Sequence, residues 1–150
     1  MKKTKLSLGE IINLESEING LTNQQTGEVV LKGLLSENIS LVMKYRLTKL
    51  ADSIAPDKKV LDGLRDELIK KYGEEKDGSI FVSQFLDEPK TVINPKFIQF
   101  ANEYETLLAE QKEIEHPIVT LEDIKDVKSE GRYTVFLKLL EAEVVPVEEV

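Results

Sequence analysis

The run VLDGLRDELIKKYGEEKDGSIFV, residues 60–82, decides the fold. Val60, Leu61, Leu64, Leu68 and Tyr72 recur at helical spacing and stop at Gly73, a glycine placed as a C-cap. Lys70 and Lys71 fall in the last turn, where cations complement the helix dipole. Lys76-Asp77-Gly78 is a turn signal, and residues 79–84 (SIFVSQ) are rich in strand formers. Asp87-Glu88-Pro89 turns again and residues 90–93 (KTVI) return, which predicts a β-hairpin. A lone hairpin is marginally stable, so it needs helices or a third strand to pack on.

Upstream of this corner the pattern is helical. Ser7 is placed to cap a helix whose Leu8, Ile11, Leu14, Ile18 and Leu21 form one apolar face, widened by Ile12 and weakened at Gly20. Residues 22–27 read as a polar connection, and a short connection predicts antiparallel packing with the next helix. That second helix is expected from Glu28. Val30, Leu31, Leu34, Leu35, Leu41, Val42, Tyr45 and Leu50 would form its apolar side, with Asn38 inside that side. A buried Asn38 would fix the register between helices, whereas an edge position leaves it an ordinary polar residue. Pro56 lacks an N–H and clashes with the carbonyl four residues back, so a kink or break is expected there, with Asp52 or Ser53 capping a restart. An unbroken helix over 28–72 would be about 65 Å long. Either Pro56 folds it back or part of its face awaits another chain.

Downstream, Asn94-Pro95 is a strong helix start, an N-cap followed by proline at N1. Phe97, Ile98, Ala101, Tyr104 and Leu108 are its expected buried side, with Phe100 and Leu107 at the margin. Residues 113–119 (EIEHPIV) alternate, and Pro117 makes them an edge strand or an extended segment, with residues 114–119 expected to extend the hairpin. Thr120 caps a short helix. Ser129 or Gly131 leads into a last one with Tyr133, Phe136, Leu137 and Leu140 inward. The fold class expected is therefore α+β and predominantly helical. It has antiparallel long helices kinked near Pro56, a small β-hairpin or three-stranded sheet, and C-terminal helices. Residues 1–143 are read as one domain and 144–150 as an acidic extended tail.

Composition narrows the function. The chain has 150 residues, 41% of them hydrophobic and 32% charged, which suffices for a core without staples. It has no Cys, which excludes disulfides and thiolate metal sites and fits a reducing cytosol. No apolar run approaches the roughly 20 residues of a membrane span. Met1-Lys2-Lys3-Thr4-Lys5 starts like a signal peptide, but Glu10, Asn13, Glu15 and Glu17 break up the apolar stretch such a peptide needs, so a basic N-terminal tail is expected. The net charge of −8 is uneven. Residues 1–100 carry 15 basic and 15 acidic side chains, whereas residues 101–150 carry 5 and 13. Lys44, Arg46 and Lys49 are the nearest approach to a basic patch, too small for direct nucleic-acid binding and readable as a solvated helix face.

Catalytic signals are weak. His116 is the only histidine, and no Ser stands in a G-x-S-x-G context. Glu113 and His116 have the E-x-x-H spacing of helical di-iron sites, but those need a second His. Acidic pairs such as Asp66-Glu67 and Glu122-Asp123 are explained by helix surface and dipole placement. There is no Trp to stack on a sugar. Neither GxxxxGK[ST] nor GxGxxG occurs, and Lys76-Asp77-Gly78 lacks the spacing of a calcium loop. No catalytic residue, metal or cofactor is expected.

The order of motifs resembles a family of small uncharacterised proteins of tailed bacteriophages and prophages, classed as a domain of unknown function. The shared pattern begins with an amphipathic helix and K-x-x-L-x-x-N (Lys32, Leu35, Asn38). R-x-x-L-I-x-K-Y-G-E comes next (Arg65, Leu68, Ile69, Lys71, Tyr72, Gly73, Glu74), then Asp77-Gly78. After it come a helix with Phe97 and Leu107-Leu108, then Glu113-Ile114-Glu115, Ile118 and residues 120–124. The chain departs from the pattern at Ala55-Pro56 and in a longer linker over 128–131. The family brings no established activity. The resemblance, the long apolar helix faces and the absence of catalytic signatures together lead to the expectation of a non-enzymatic bacteriophage protein, a virion component or assembly factor, in the host cytoplasm or in the virion. Its partners would be other phage proteins or a second copy of itself, with no membrane involved. Asn38, Lys44, Arg46, Lys49, Glu141, Glu143, Glu148 and Glu149 are the candidate contact residues. The alternative is a host-directed inhibitor of a defence protein, or a DNA mimic, acting through the acidic last third.

Overall fold

A computed structural model describes residues 2–23, 25–86, 90–128 and 132–141, with Glu141 by its backbone alone. Helix makes up 54% and strand 19% of the described chain, so the fold is α+β and mostly helical. Contacts divide the chain into two compact units, Met1–Lys58 with Gln111–Val150, and Lys59–Glu110.

The first unit opens with β1 (Lys2–Ser7), which is a strand and not the free basic tail expected. It pairs antiparallel with β6 (Gln111–His116), from Lys2 opposite His116 to Ser7 opposite Gln111. The reason is charge and period. Lys3 and Lys5 stand directly opposite Glu115 and Glu113, and opposite charges across a ladder stabilise it. Leu6 and Ile114, on the other face, enter the core. β6 therefore extends β1 and not the hairpin, and the described strands form three two-stranded sheets instead of one of three strands.

Helix α1 (Leu8–Asn19) begins as expected. The Ser7 hydroxyl accepts from the Glu10 N–H at 3.1 Å, while Glu10 accepts from the Ser7 N–H at 3.0 Å. Ile11, Leu14 and Ile18 are fully buried. The next segment is not the start of a helix. β2 (Leu21–Thr22) and β3 (Val29–Leu31) form a small hairpin, and a 3-10 turn comes after it at Leu34–Ser36. Helix cannot start at Glu28 because the backbone at Gly33 lies hard against the end of α1. A Cβ there would sit 2.5 Å from the Asn19 carbonyl carbon and the Gly20 nitrogen. Of the leucines and valines assigned to a helix face over 28–35, only Leu34 is fully buried.

Helix α2 (Leu41–Tyr72) starts where the Ser40 hydroxyl accepts from the Met43 N–H at 3.1 Å. Its 32 residues span about 48 Å. The inward stripe is Met43, Leu47, Leu50, Ala51 and Ile54. Leu41, Val42 and Tyr45, expected inward, are 82%, 58% and 65% exposed. Pro56 neither breaks the helix nor starts a new one. Asp52, whose carbonyl loses its donor, is on an exposed turn where water can bond it, and the Ser53 hydroxyl donates to the Leu50 carbonyl at 2.7 Å instead of capping a restart.

The first unit is completed by a 3-10 turn at Glu122–Ile124 and by α4 (Thr134–Glu141), which packs against α1. Thr120 and Asp123 cap the turn reciprocally, at 2.9 and 3.3 Å. Tyr133, Phe136, Leu139 and Leu140 are buried, so the inward set read from sequence was right except that Leu137 is half-buried and Leu139 takes its place. The expected turn at 87–89, the 129–131 part of the linker and the tail lie outside the described residues.

In the second unit α2 ends at Gly73, whose N–H donates to the Ile69 carbonyl at 2.7 Å. Glycine is needed there for crowding, since a Cβ would meet Ile80 Cγ2 at 2.9 Å and the Phe81 carbonyl at 3.0 Å. β4 (Glu74–Lys76) and β5 (Ser79–Phe81) pair around Asp77 and Gly78, which have φ of 53° and 81°, the positive pair of a type I′ turn. The hairpin is thus one strand earlier than expected. The return over 90–93 makes only an isolated bridge, Phe85 to Ile93. α3 (Pro95–Leu108) starts at Asn94, whose side chain accepts from the Lys96 N–H. None of its residues is buried, against the expectation for Phe97, Ile98, Ala101, Tyr104 and Leu108.

Candidate functional site

The exposed face of α2 in the first unit carries residues that neither the core nor a salt bridge uses. Val42, Tyr45, Arg46, Lys49 and Ser53 recur at spacings of about three and four, so they form one surface strip. Beside it is a cleft of about 400 Å³ lined by Tyr45, Arg46, Lys49, Leu50, Ser53, Glu115 and Pro117. The strand side of the cleft comes from the end of β6, because the helix lies along that strand. Asp57 and Lys112 pair at 2.6 Å across the helix and strand, and Ser53, Ile54 and Ile114 line a smaller depression of about 170 Å³ between them.

The cleft is apolar at its base and cationic at its rim. Leu50 is buried, and the Tyr45 ring and Pro117 form walls. The Lys49 ammonium lies 5.7 Å from the Tyr45 ring centroid, a loose cation–π contact. Arg46 has no ion-pair partner among the described residues. Glu115 supplies the only carboxylate in the lining among the described residues, and Lys3 faces it at 4.0 Å. Such a surface suits an extended segment with both apolar and acidic side chains.

Two buried polar clusters hold the walls of this unit in place. Glu17 of α1 is 4% exposed and accepts from the Phe136 N–H at 2.9 Å and the Val135 N–H at 3.2 Å. A side chain of one helix thus caps the N-terminus of another. Burial pushes the Glu17 carboxyl above its ordinary value, partly offset by those two N–H donors. Glu37 is equally buried, with Tyr133 Oη at 2.7 Å, Arg132 Nη2 at 3.0 Å and Lys32 Nζ at 3.6 Å. Burial alone would raise its carboxyl, but the Tyr133 hydroxyl, Lys32 and Arg132 outweigh it and hold it below the ordinary range. The Tyr133 phenol is pushed up to about 12, by burial first and by Glu37 second.

His116 is fully buried and fully used. Nδ1 is 3.0 Å from the Pro117 carbonyl, which can only accept, so Nδ1 carries the hydrogen. Nε2 lies 2.7 Å from the Thr4 hydroxyl, a group that both donates and accepts. Both ring nitrogens thus have a hydrogen-bond partner within the first unit. Glu113 is three residues away on a strand, hence on the opposite face, so the E-x-x-H spacing brings nothing together. Among the described residues no group of three potential ligands could hold a metal ion.

Of the contact residues read from sequence, Arg46 and Lys49 meet at the cleft, and Lys44 is half-buried on the same helix. Asn38 is not on a helix face. It is exposed in a bend before α2 and cannot fix a helix register. The Glu141 side chain and Glu143, Glu148 and Glu149 lie outside the described residues. Tyr45, Glu115 and Pro117 were missed. Tyr45 was read as core, and nothing local in the sequence says that β6 runs beside α2. No family model, no curated protein and no solved structure matches the chain.

Proposed function

We propose that the chain is a non-enzymatic bacteriophage protein that acts through protein–protein contacts, as a virion component or an assembly factor. The phage assignment rests on the order of motifs from Lys32 to Ile124. The contact reading rests on α3. Phe97, Ile98, Ala101, Tyr104 and Leu108 form a helical stripe, yet no residue of the helix is buried and Ile98 is 46% exposed. An amphipathic helix whose apolar side is only half covered, with Ile98 exposed, offers a surface for a partner. No helix among the described residues is long and apolar enough to cross a membrane.

The test is association at physiological salt, read by mass photometry, together with the protein content of purified particles. The reading predicts self-association or particle incorporation, reduced at least tenfold by Ile98→Asp. A strictly monomeric protein absent from particles overturns it. The charge split supports a second reading, a host-directed inhibitor whose acidic last third occupies a basic groove. Replacing Glu141, Glu143, Glu148 and Glu149 by Gln should then abolish inhibition, and unchanged potency would refute it.

A further inference from the structure

We infer that the cleft between α2 and β6 is the receiving site for residues 142–150 of a second copy of this chain. The inference rests on the proposed contact function and names the partner at one particular surface. The cleft has two cations at its rim, Arg46 and Lys49, and an apolar floor and walls from Leu50, Tyr45 and Pro117. Leu41 and Val42 prolong the apolar strip one turn further and are 82% and 58% exposed. Residues 142–150 read AEVVPVEEV, so carboxylates at Glu143, Glu148 and Glu149 are interspersed with Val144, Val145, Val147 and Val150. Each side carries what the other lacks.

Dimensions agree. The strip from Tyr45 to Ser53 is about 12 Å long at the helical rise, the length of about four extended residues. The segment is long enough to span it and carries both the valines that suit an apolar floor and the carboxylates that suit a cationic rim. The one opposing charge in the lining, Glu115, is faced by Lys3. Residues 1–100 have no net charge and residues 101–150 carry −8. A tail-to-cleft contact closes a twofold dimer where it is reciprocal and builds rings or filaments where it is not.

The test uses the full-length chain and charge reversal in both directions. Self-association is measured by mass photometry and sedimentation at low and physiological salt, with circular dichroism as the folding control. Arg46→Glu with Lys49→Glu should weaken self-association at least tenfold. Glu148→Lys with Glu149→Lys should do the same. Mixing the two variants should restore hetero-association, and the wild-type contact should weaken as salt rises. Self-association insensitive to either reversal, yet lost in Ile98→Asp, overturns this inference and leaves the contact function intact. A monomer under all conditions that is also absent from particles removes both. Charge sensitivity that is independent of protein concentration would place the segment in its own chain's cleft and also overturn the inference.

Discussion

The two units draw on similar residues and bury them very differently. In the first, α1, α2, β6 and α4 send Ile11, Leu14, Leu47, Ile54, Ile114 and Phe136 into one core, each 5% exposed or less. In the second, Leu61 is the one buried side chain among the described residues. Phe97, Phe100 and Tyr104 are half-buried, and their rings lie 6.5 and 6.0 Å apart along α3. A cavity of about 430 Å³ is bounded by Leu64, Leu68 and Lys71 of α2 with Glu103 and Leu107 of α3. The polar links differ too. Glu17 and Glu37 are buried and bonded, whereas Tyr72 and Lys71 meet Glu103 on an exposed surface. Stability therefore resides in the first unit, and the second has an unfilled apolar face.

The largest expected contrast is in core truncation. Phe136→Ala should cost about 3–5 kcal/mol, because the site is full and cannot collapse. Phe100→Ala should cost about 1 kcal/mol or less, because the ring is half in water already. Urea titration followed by circular dichroism checks both. Equal losses would erase the distinction.

Glycine crowding comes next. Gly33→Ala should cost about 2 kcal/mol or more, since backbone and not a side-chain tip is in the way. Gly78→Ala has open space around it but a φ of 81°, so about 1 kcal/mol is expected and the loss should stay within the β4–β5 hairpin.

The smallest contrast is in pH, and its two parts have opposite sign. Glu37 and Glu10 are held below the ordinary value of 4.5, Glu10 chiefly by its bond to Lys138. Their contribution is complete above that value and is lost as pH falls through their folded values. Glu17 is raised, so its contribution is present below 4.5 and fades as pH rises toward its folded value. Denaturation midpoints across about pH 3 to pH 6 should show a shallower acid limb in Glu37→Gln and a shallower limb above 4.5 in Glu17→Gln. An unchanged profile in both would refute the assignment.

Local chemistry was legible in the sequence. Ser7 with Glu10, Asn94-Pro95, Asp77-Gly78 and Thr120 with Asp123 act within four residues, and each stands where its pattern placed it. Non-local structure was not. The β1–β6 ladder joins residues more than a hundred positions apart, and its clue, Lys3 and Lys5 against Glu115 and Glu113, has meaning only once the pairing is known. The start of α2 was misplaced because Val30, Leu31, Leu34 and Leu35 copy a helical period, while the deciding fact is the approach of Gly33 to α1. The face of α2 was rotated for the same reason, which hid Tyr45 as part of the cleft. Arg46 and Lys49, read from the sequence as surface charges, line that cleft.

Helix α2 runs from one unit into the other and so carries its own control. Native-state hydrogen exchange on it, at a concentration where the chain is monomeric, tests the contrast most directly. Amides over 47–54 should exchange only through global unfolding, and those over 64–71 about 100-fold faster. Uniform protection along the whole helix would contradict the account.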